Sequence, residues 1–79
     1  MDKNVFNFEL GLLVRNERKR QRLSQEELAF RANCGLSQIG TVERGEKGIS
    51  FYNFYKIAKA LNIDVNDLLK EIDKKIKAV

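Results

Sequence analysis

Helix-forming patterns follow one another along the whole chain, and no proline interrupts them. Apolar residues recur at spacings of three and four, which is the spacing that places them on one face of a helix. Capping residues and turn formers divide the pattern into five segments, expected at about 8–20, 25–32, 36–43, 51–61 and 65–77. The sequence therefore predicts an all-α fold, a bundle of five helices.

The chain is long enough for one small hydrophobic core, since it has 79 residues, of which 43% are apolar. We interpret residues 1–79 as a single domain whose last helix is extended. No apolar run approaches the ~20 residues of a membrane span, and no export signal is visible. Cys34 is the single cysteine, so no internal disulfide is possible. Together these features favour a cytoplasmic protein with no membrane association.

The sequence lacks the residues that several kinds of chemistry require. The chain has no histidine and one cysteine, so the usual general base and an ordinary zinc site are both missing. No Gly-rich phosphate loop, nucleophile elbow or paired-carboxylate motif occurs. We therefore expect no enzymatic activity, no cofactor and no metal, and no small-molecule ligand is evident.

The charge balance is basic, with 15 Lys and Arg against 11 Asp and Glu, which gives a net charge of +4. Such a balance is compatible with nucleic acid, an anionic membrane surface or an acidic partner. The placement of the charges, and not their sum, must decide among these.

The most informative feature is a pair of short helices joined by a tight turn, residues 25–44. Ser24 and Glu27 form a capping-box pattern, which predicts where the first helix begins. Asn33 tolerates the left-handed conformation that ends such a helix. Ala29 is small where the helices would cross, and Ile39 lies on the inner face of the second helix.

This arrangement is a helix-turn-helix pattern: a small residue, a turn former, and then two branched apolar residues, Ile39 and Val42. It leaves the outer face of the second helix free. That face has the size that fits a DNA major groove.

The chain resembles the Cro/Xre helix-turn-helix family, the lambda-repressor-like DNA-binding domains, over about residues 10–69. The resemblance is carried by residues 23–29, by Ile39, and by the stretches 42–45 and 57–63. In its small size the chain is similar to restriction–modification controller proteins and phage Cro-type repressors.

The resemblance implies a set of DNA-contacting residues. It places Gln25 at a phosphate while it braces the recognition helix, and it implies an internal salt bridge between Arg18 and Glu43. Outward positions meet base edges, loop positions meet the phosphate backbone, and Arg15 is a further candidate ligand. The full expected set is Gln25, Gly35, Leu36, Ser37, Gln38, Thr41, Arg44, Lys47 and Arg15. For Leu36 a place in the core is the alternative.

The sequence departs from the family pattern at several points, one of which is Ile49, where the family often has proline or another loop former. Arg22 stands where the family often has glycine, and no Arg or Lys occurs between Ala32 and Arg44. Bidentate guanine contact by an arginine of the helix itself is therefore not expected. Gly40 lowers the stability of a helix by about 1 kcal/mol relative to alanine. We therefore expect a role that compensates for this loss, such as close approach of the backbone to DNA.

The last helix carries an apolar stripe beyond Leu68 and Leu69, which suit core packing. Leu69, Ile72 and Ile76, with Val79 beyond them, are expected at a homodimer contact. A two-fold dimer binds a near-palindromic operator, so we interpret the chain as a transcriptional regulator of double-stranded DNA. The alternatives are an antitoxin that binds both DNA and a protein toxin, and a helical module that binds protein alone.

Overall fold

The computed structural model describes residues 2–77, which form five helices in the expected order. They are α1 (Lys3–Arg20), α2 (Gln25–Ala32), α3 (Leu36–Glu43), α4 (Phe51–Ala60) and α5 (Val65–Lys77). The all-α prediction is confirmed, and the bounds of α2 to α5 lie within one residue of those expected. None of the helices formed by residues 2–77 has the length and hydropathy of a membrane span.

Helix α1 begins five residues earlier than the apolar stripe predicted. Its N-cap is Asp2, whose carboxylate accepts a 2.8 Å hydrogen bond from the backbone amide of Asn4. The expected start at Phe8 followed the first strong apolar spacing and passed over this cap. The added turns bring Phe6 alongside α5, where it lines a groove with Ile76.

Four of the helices end in the same kind of turn. A residue with positive φ follows each of them: Arg22 (60°), Asn33 (53°), Gly45 (68°) and Asn62 (59°). In each case the next amide donates to the carbonyl five residues back, as in a Schellman motif, for example Cys34 to Ala29 at 2.9 Å. Arg22 adopts this conformation with a Cβ, at a penalty of roughly 1 kcal/mol.

The core lies where all five helices meet. Its fully buried large side chains come from every helix: Val14, Leu28, Ile39, Ile57, Leu61 and Ile72. Helix α3 packs against α1 and α2, while α4 packs against α2 and α5. As a result, α3 is supported from behind by two helices and keeps one side free.

Ile72 is a correction to the expected dimer contact, because its side chain is 1% exposed and belongs to the core of a single chain. Helix α5 packs against both α1 and α4, and Phe6, from the part of α1 before the expected start, lines the same groove as Ile72. Leu69, which suited the core, is instead 40% exposed, and Ile76 is half-buried. Val79 lies outside the described residues.

Gly11 allows α1 to lie directly on the end of α3. A Cβ at this position would be 2.8 Å from the carbonyl oxygen of Glu43 and still closer to that of Val42. Both obstacles are backbone atoms, which cannot turn aside as a side chain can. The two helices are therefore in backbone contact at this point.

An ion pair joins the same two helices about two turns further along α1. Arg18 Nε donates to Glu43 Oε2 at 2.7 Å, and Arg18 Nη2 donates to Oε1 at 3.0 Å. The side chains are only 11% and 3% exposed. Arg18 Nη1 also donates to the Leu23 carbonyl at 2.8 Å, and Gln25 Nε2 donates to Glu43 Oε1 at 3.1 Å. Hydrogen bonding to the carboxylate raises the pKa of the Arg18 guanidinium, which therefore stays charged.

Gly11→Ala is expected to lower the free energy of unfolding by about 1–3 kcal/mol, because the added methyl group meets rigid backbone. Gly40→Ala is the matched control: it is also a helix glycine, but an added Cβ there meets the far end of the Arg44 side chain. Its effect should be neutral or stabilising by up to about 1 kcal/mol. Urea unfolding followed by circular dichroism measures both variants, and equal losses would contradict the backbone contact.

Glu43→Ala is expected to destabilise the chain by about 3–5 kcal/mol, because it leaves the buried Arg18 charge without its carboxylate. Replacing both partners, as Arg18→Met with Glu43→Leu, should recover most of that loss. The control is Glu71→Ala, which removes an exposed pair with Lys74 and should change the unfolding free energy by no more than about 0.5 kcal/mol. If both alanine variants lose stability alike, the buried pair has no special role.

Candidate nucleic-acid interface

Helix α3 turns an apolar side to the core and a polar side to solvent. Ile39 and Val42 are buried. The residues predicted to meet base edges lie on the other side, with Leu36 and Ser37 exposed and Gln38 and Thr41 half-buried. Leu36 is 47% exposed, so the structure does not place it in the core, which was its alternative position.

An open groove lies between α3, the loop after it and the start of α4. Ser37, Gln38 and Thr41 line one wall, and Lys47 lines the loop side. The structure thus brings together four of the residues expected at DNA. Asn53 of α4 also lines the groove, although it was not among the residues expected at DNA. The available signal was its place in the first turn of α4, three residues after the expected cap.

Gln25 and Gly35 occupy the starts of the two helices of the motif. Gln25 is the first residue of α2, and its hydrogen bond to Glu43 ties that helix to the end of α3. Gly35 is the exposed N-cap of α3 and supplies no side-chain cap. The first backbone amides of α3 are therefore not covered by a capping side chain. A helix N-terminus that binds a phosphate needs its first amides uncovered in this way.

Arg15 is exposed on α1. It lies one turn after Gly11 and about one turn before Arg18, and both of those residues contact the end of α3. Helical spacing places all three on one flank of α1. The Arg15 side chain is therefore on the side of α1 that adjoins the recognition helix.

Arg44 is the C-cap of α3, and its guanidinium is held by a carboxylate of the same loop. Arg44 Nε is 3.0 Å from Glu46 Oε2, and Arg44 Nη2 donates to Oε1 at 3.1 Å. This hydrogen bonding lowers the pKa of the Glu46 carboxyl. The guanidinium lies beside Gly40, one turn back along α3, and not out along the loop.

Comparison with known proteins gives a consistent result. A helix-turn-helix family model matches residues 14–68. The control protein C.BamHI of Bacillus amyloliquefaciens is 40% identical over 60 residues, which cover 75% of this chain and 74% of that protein. The crystal structure of the restriction–modification controller protein C.AhdI from Aeromonas hydrophila is 39% identical, has a TM-score of 0.75, and covers 78% of this chain and 94% of its own.

A third similarity concerns the fold alone. A variant of the controller protein C.Esp1396I, solved bound to its highest affinity operator site, has a TM-score of 0.82 at 20% identity. The match covers 90% of this chain and 93% of that one. With the matched motif, the identities above and the exposed polar face of α3, the chain belongs to the Cro/Xre-type helix-turn-helix family of DNA-binding transcription regulators.

Proposed function

We propose that this regulator recognises a specific near-palindromic operator as a homodimer, in the manner of a repressor or a restriction–modification controller. The observation that carries the proposal is the polar face of α3. Its Leu36 and Ser37 are exposed and its Gln38 and Thr41 line an open groove, while buried residues fix the helix from behind. The names of C.BamHI and C.AhdI support the controller role.

In this mechanism α3 enters the major groove, and its outward side chains distinguish bases. Ser37, Gln38 and Thr41 carry hydroxyl and amide groups that hydrogen-bond base edges, and Leu36 can pack on a thymine methyl group. Phosphates are held by Gln25, Lys47 and Arg15 and by the amides after Gly35. Phosphate contacts fix the position of the protein on the duplex, while base contacts select the sequence.

The groove between α1 and α5 supplies the dimer contact. Leu69, Ile76 and Phe6 give it apolar walls, and Lys70 and Asp73 also line it. In a two-fold dimer the same surface of each subunit faces its copy. A surface that carries one basic and one acidic residue can therefore pair the basic residue of one subunit with the acidic residue of the other. Such a dimer sets two α3 helices about 34 Å apart, one turn of DNA, and so calls for a near-palindrome.

Selection of bound duplexes from a random pool tests operator recognition, and Gln38→Ala and Thr41→Ala identify the readers. Each variant should relax discrimination at one position of each half-site by ~1–3 kcal/mol. Glu71→Gln, on the exposed side of α5, is the control and should leave the selected sequence unchanged. An unchanged preference in the alanine variants refutes their assignment, and failure to retain any duplex at low ionic strength refutes DNA binding itself.

Leu69→Asp tests the dimer contact, because this exposed side chain can be charged without entering the core. Sedimentation velocity should show a monomer for the variant and a dimer for the unchanged chain, and operator affinity should fall with it. Lys74→Asp, an exposed change on the same helix, should keep the dimer. Dimers that persist in Leu69→Asp would place the contact elsewhere. Ile72→Asp is unsuitable, since it charges the core.

A further inference from the structure

The outward face of α3 has few long polar side chains, yet an arginine lies on it. No Arg or Lys occurs between Ala32 and Arg44, so the helix itself offers no guanidinium. Arg44 is the C-cap residue, and its side chain turns back so that Nη1 comes beside Gly40. Gly40 is itself buried. Helical spacing puts Arg44 on the side of Thr41 and Ser37, which is opposite the buried Ile39. The guanidinium thus lies on the face proposed to enter the major groove.

Glu46 holds one edge of this guanidinium and leaves another edge open. Its two carboxylate oxygens take Nε and Nη2. A guanidinium has five N–H donors, so the Nη1 and Nη2 end still offers two parallel donors. That end is the fork that contacts a pair of acceptors such as O6 and N7 of guanine.

Gly40 provides the space in which the guanidinium lies. A Cβ at Gly40 would be 2.9 Å from Arg44 Nη1, which is closer than the two atoms can approach. The nearest atoms to that Cβ all belong to the Arg44 side chain. The glycine therefore leaves room for the guanidinium, and it does so at a cost in helix stability of about 1 kcal/mol relative to alanine.

The charge of the pair favours a base over a phosphate as the ligand. Glu46 neutralises the guanidinium and would repel a phosphate brought to the same place, which weakens the attraction that a phosphate contact relies on. Guanine offers two neutral acceptors, so it needs the geometry of the fork more than its net charge. Holding the side chain in advance also lowers the conformational entropy lost on binding.

We propose that Arg44 reads a guanine in each half-site, and that Glu46 and Gly40 are positioning residues that hold its guanidinium against α3 for this contact. This inference rests on the proposed function, since it needs α3 in the major groove. It makes Glu46, an acidic residue at a DNA-binding surface, a determinant of sequence specificity.

The experiment is selection from a random duplex pool, followed by affinity measurements on the selected operator and on single base-pair changes. The unchanged protein should require a G·C pair at one position of each half-site. Arg44→Met should lose that requirement, with discrimination at the position falling by roughly 5- to 150-fold and other positions unaffected. Glu46→Gln should reduce it by about 2- to 10-fold at the same position.

Two controls separate positioning from general electrostatics. In the Arg44→Met background, Glu46→Gln should change discrimination no further, because the residue acts through Arg44. Glu26→Gln removes an exposed carboxylate from α2 of the same motif, and it should raise affinity for all duplexes alike. Gly40→Ala should keep its stability while losing part of the guanine preference.

The outcomes are distinct. Arg44→Met could instead weaken binding to every duplex equally and reduce the slope of log K against log salt by about 1, as the loss of one phosphate contact does. Arg44 would then be a phosphate ligand and the inference would be overturned, while the proposed function would stand. If Glu46→Gln leaves the guanine preference intact, or acts equally in both backgrounds, the positioning role is overturned. If the unchanged protein selects no sequence, the proposed function itself fails.

Discussion

The buried pair of Arg18 and Glu43 is the interaction on which the interface depends. Helix α3 has eight residues, which is too short to be stable alone in water. Its orientation is therefore imposed by its neighbours, and Arg18 connects it both to α1 and to the Leu23 carbonyl. Gln25 adds a bond from α2 to the same carboxylate. Two desolvated charges are tolerated here because each has several partners.

Much of the fold could be predicted from the sequence because the residues that begin and end its helices act locally. A capping box at Ser24, a turn former at Asn33 and the spacing of Ile39 and Val42 specify the motif through bonds made within a few residues. The same holds for the outward face of α3, which is the complement of a buried stripe. The Arg18 to Glu43 pairing had a different source, since residues 25 apart share no local signal, and family resemblance supplied it.

What the sequence did not reveal depends on contacts between distant segments. The burial of Ile72 depends on the packing of α5 against both α1 and α4. The early start of α1 was missed because the cap at Asp2 is weaker evidence than an apolar stripe. Asn53 reaches the groove only because the loop returns α4 to the side of α3. The direction of Arg44 is set jointly by Glu46 and by empty space at Gly40, and neither periodicity nor composition encodes such an arrangement.

The backbone contact at Gly11 also bears on how this surface can change over time. Where main chain lies against main chain, the recognition helix cannot tilt or slide to suit a different groove without breaking the core. New sequence preferences must therefore arise by exchanging individual side chains on a fixed platform. A lineage built on this scaffold would diversify its targets in small steps, one base position after another, while its architecture stays the same.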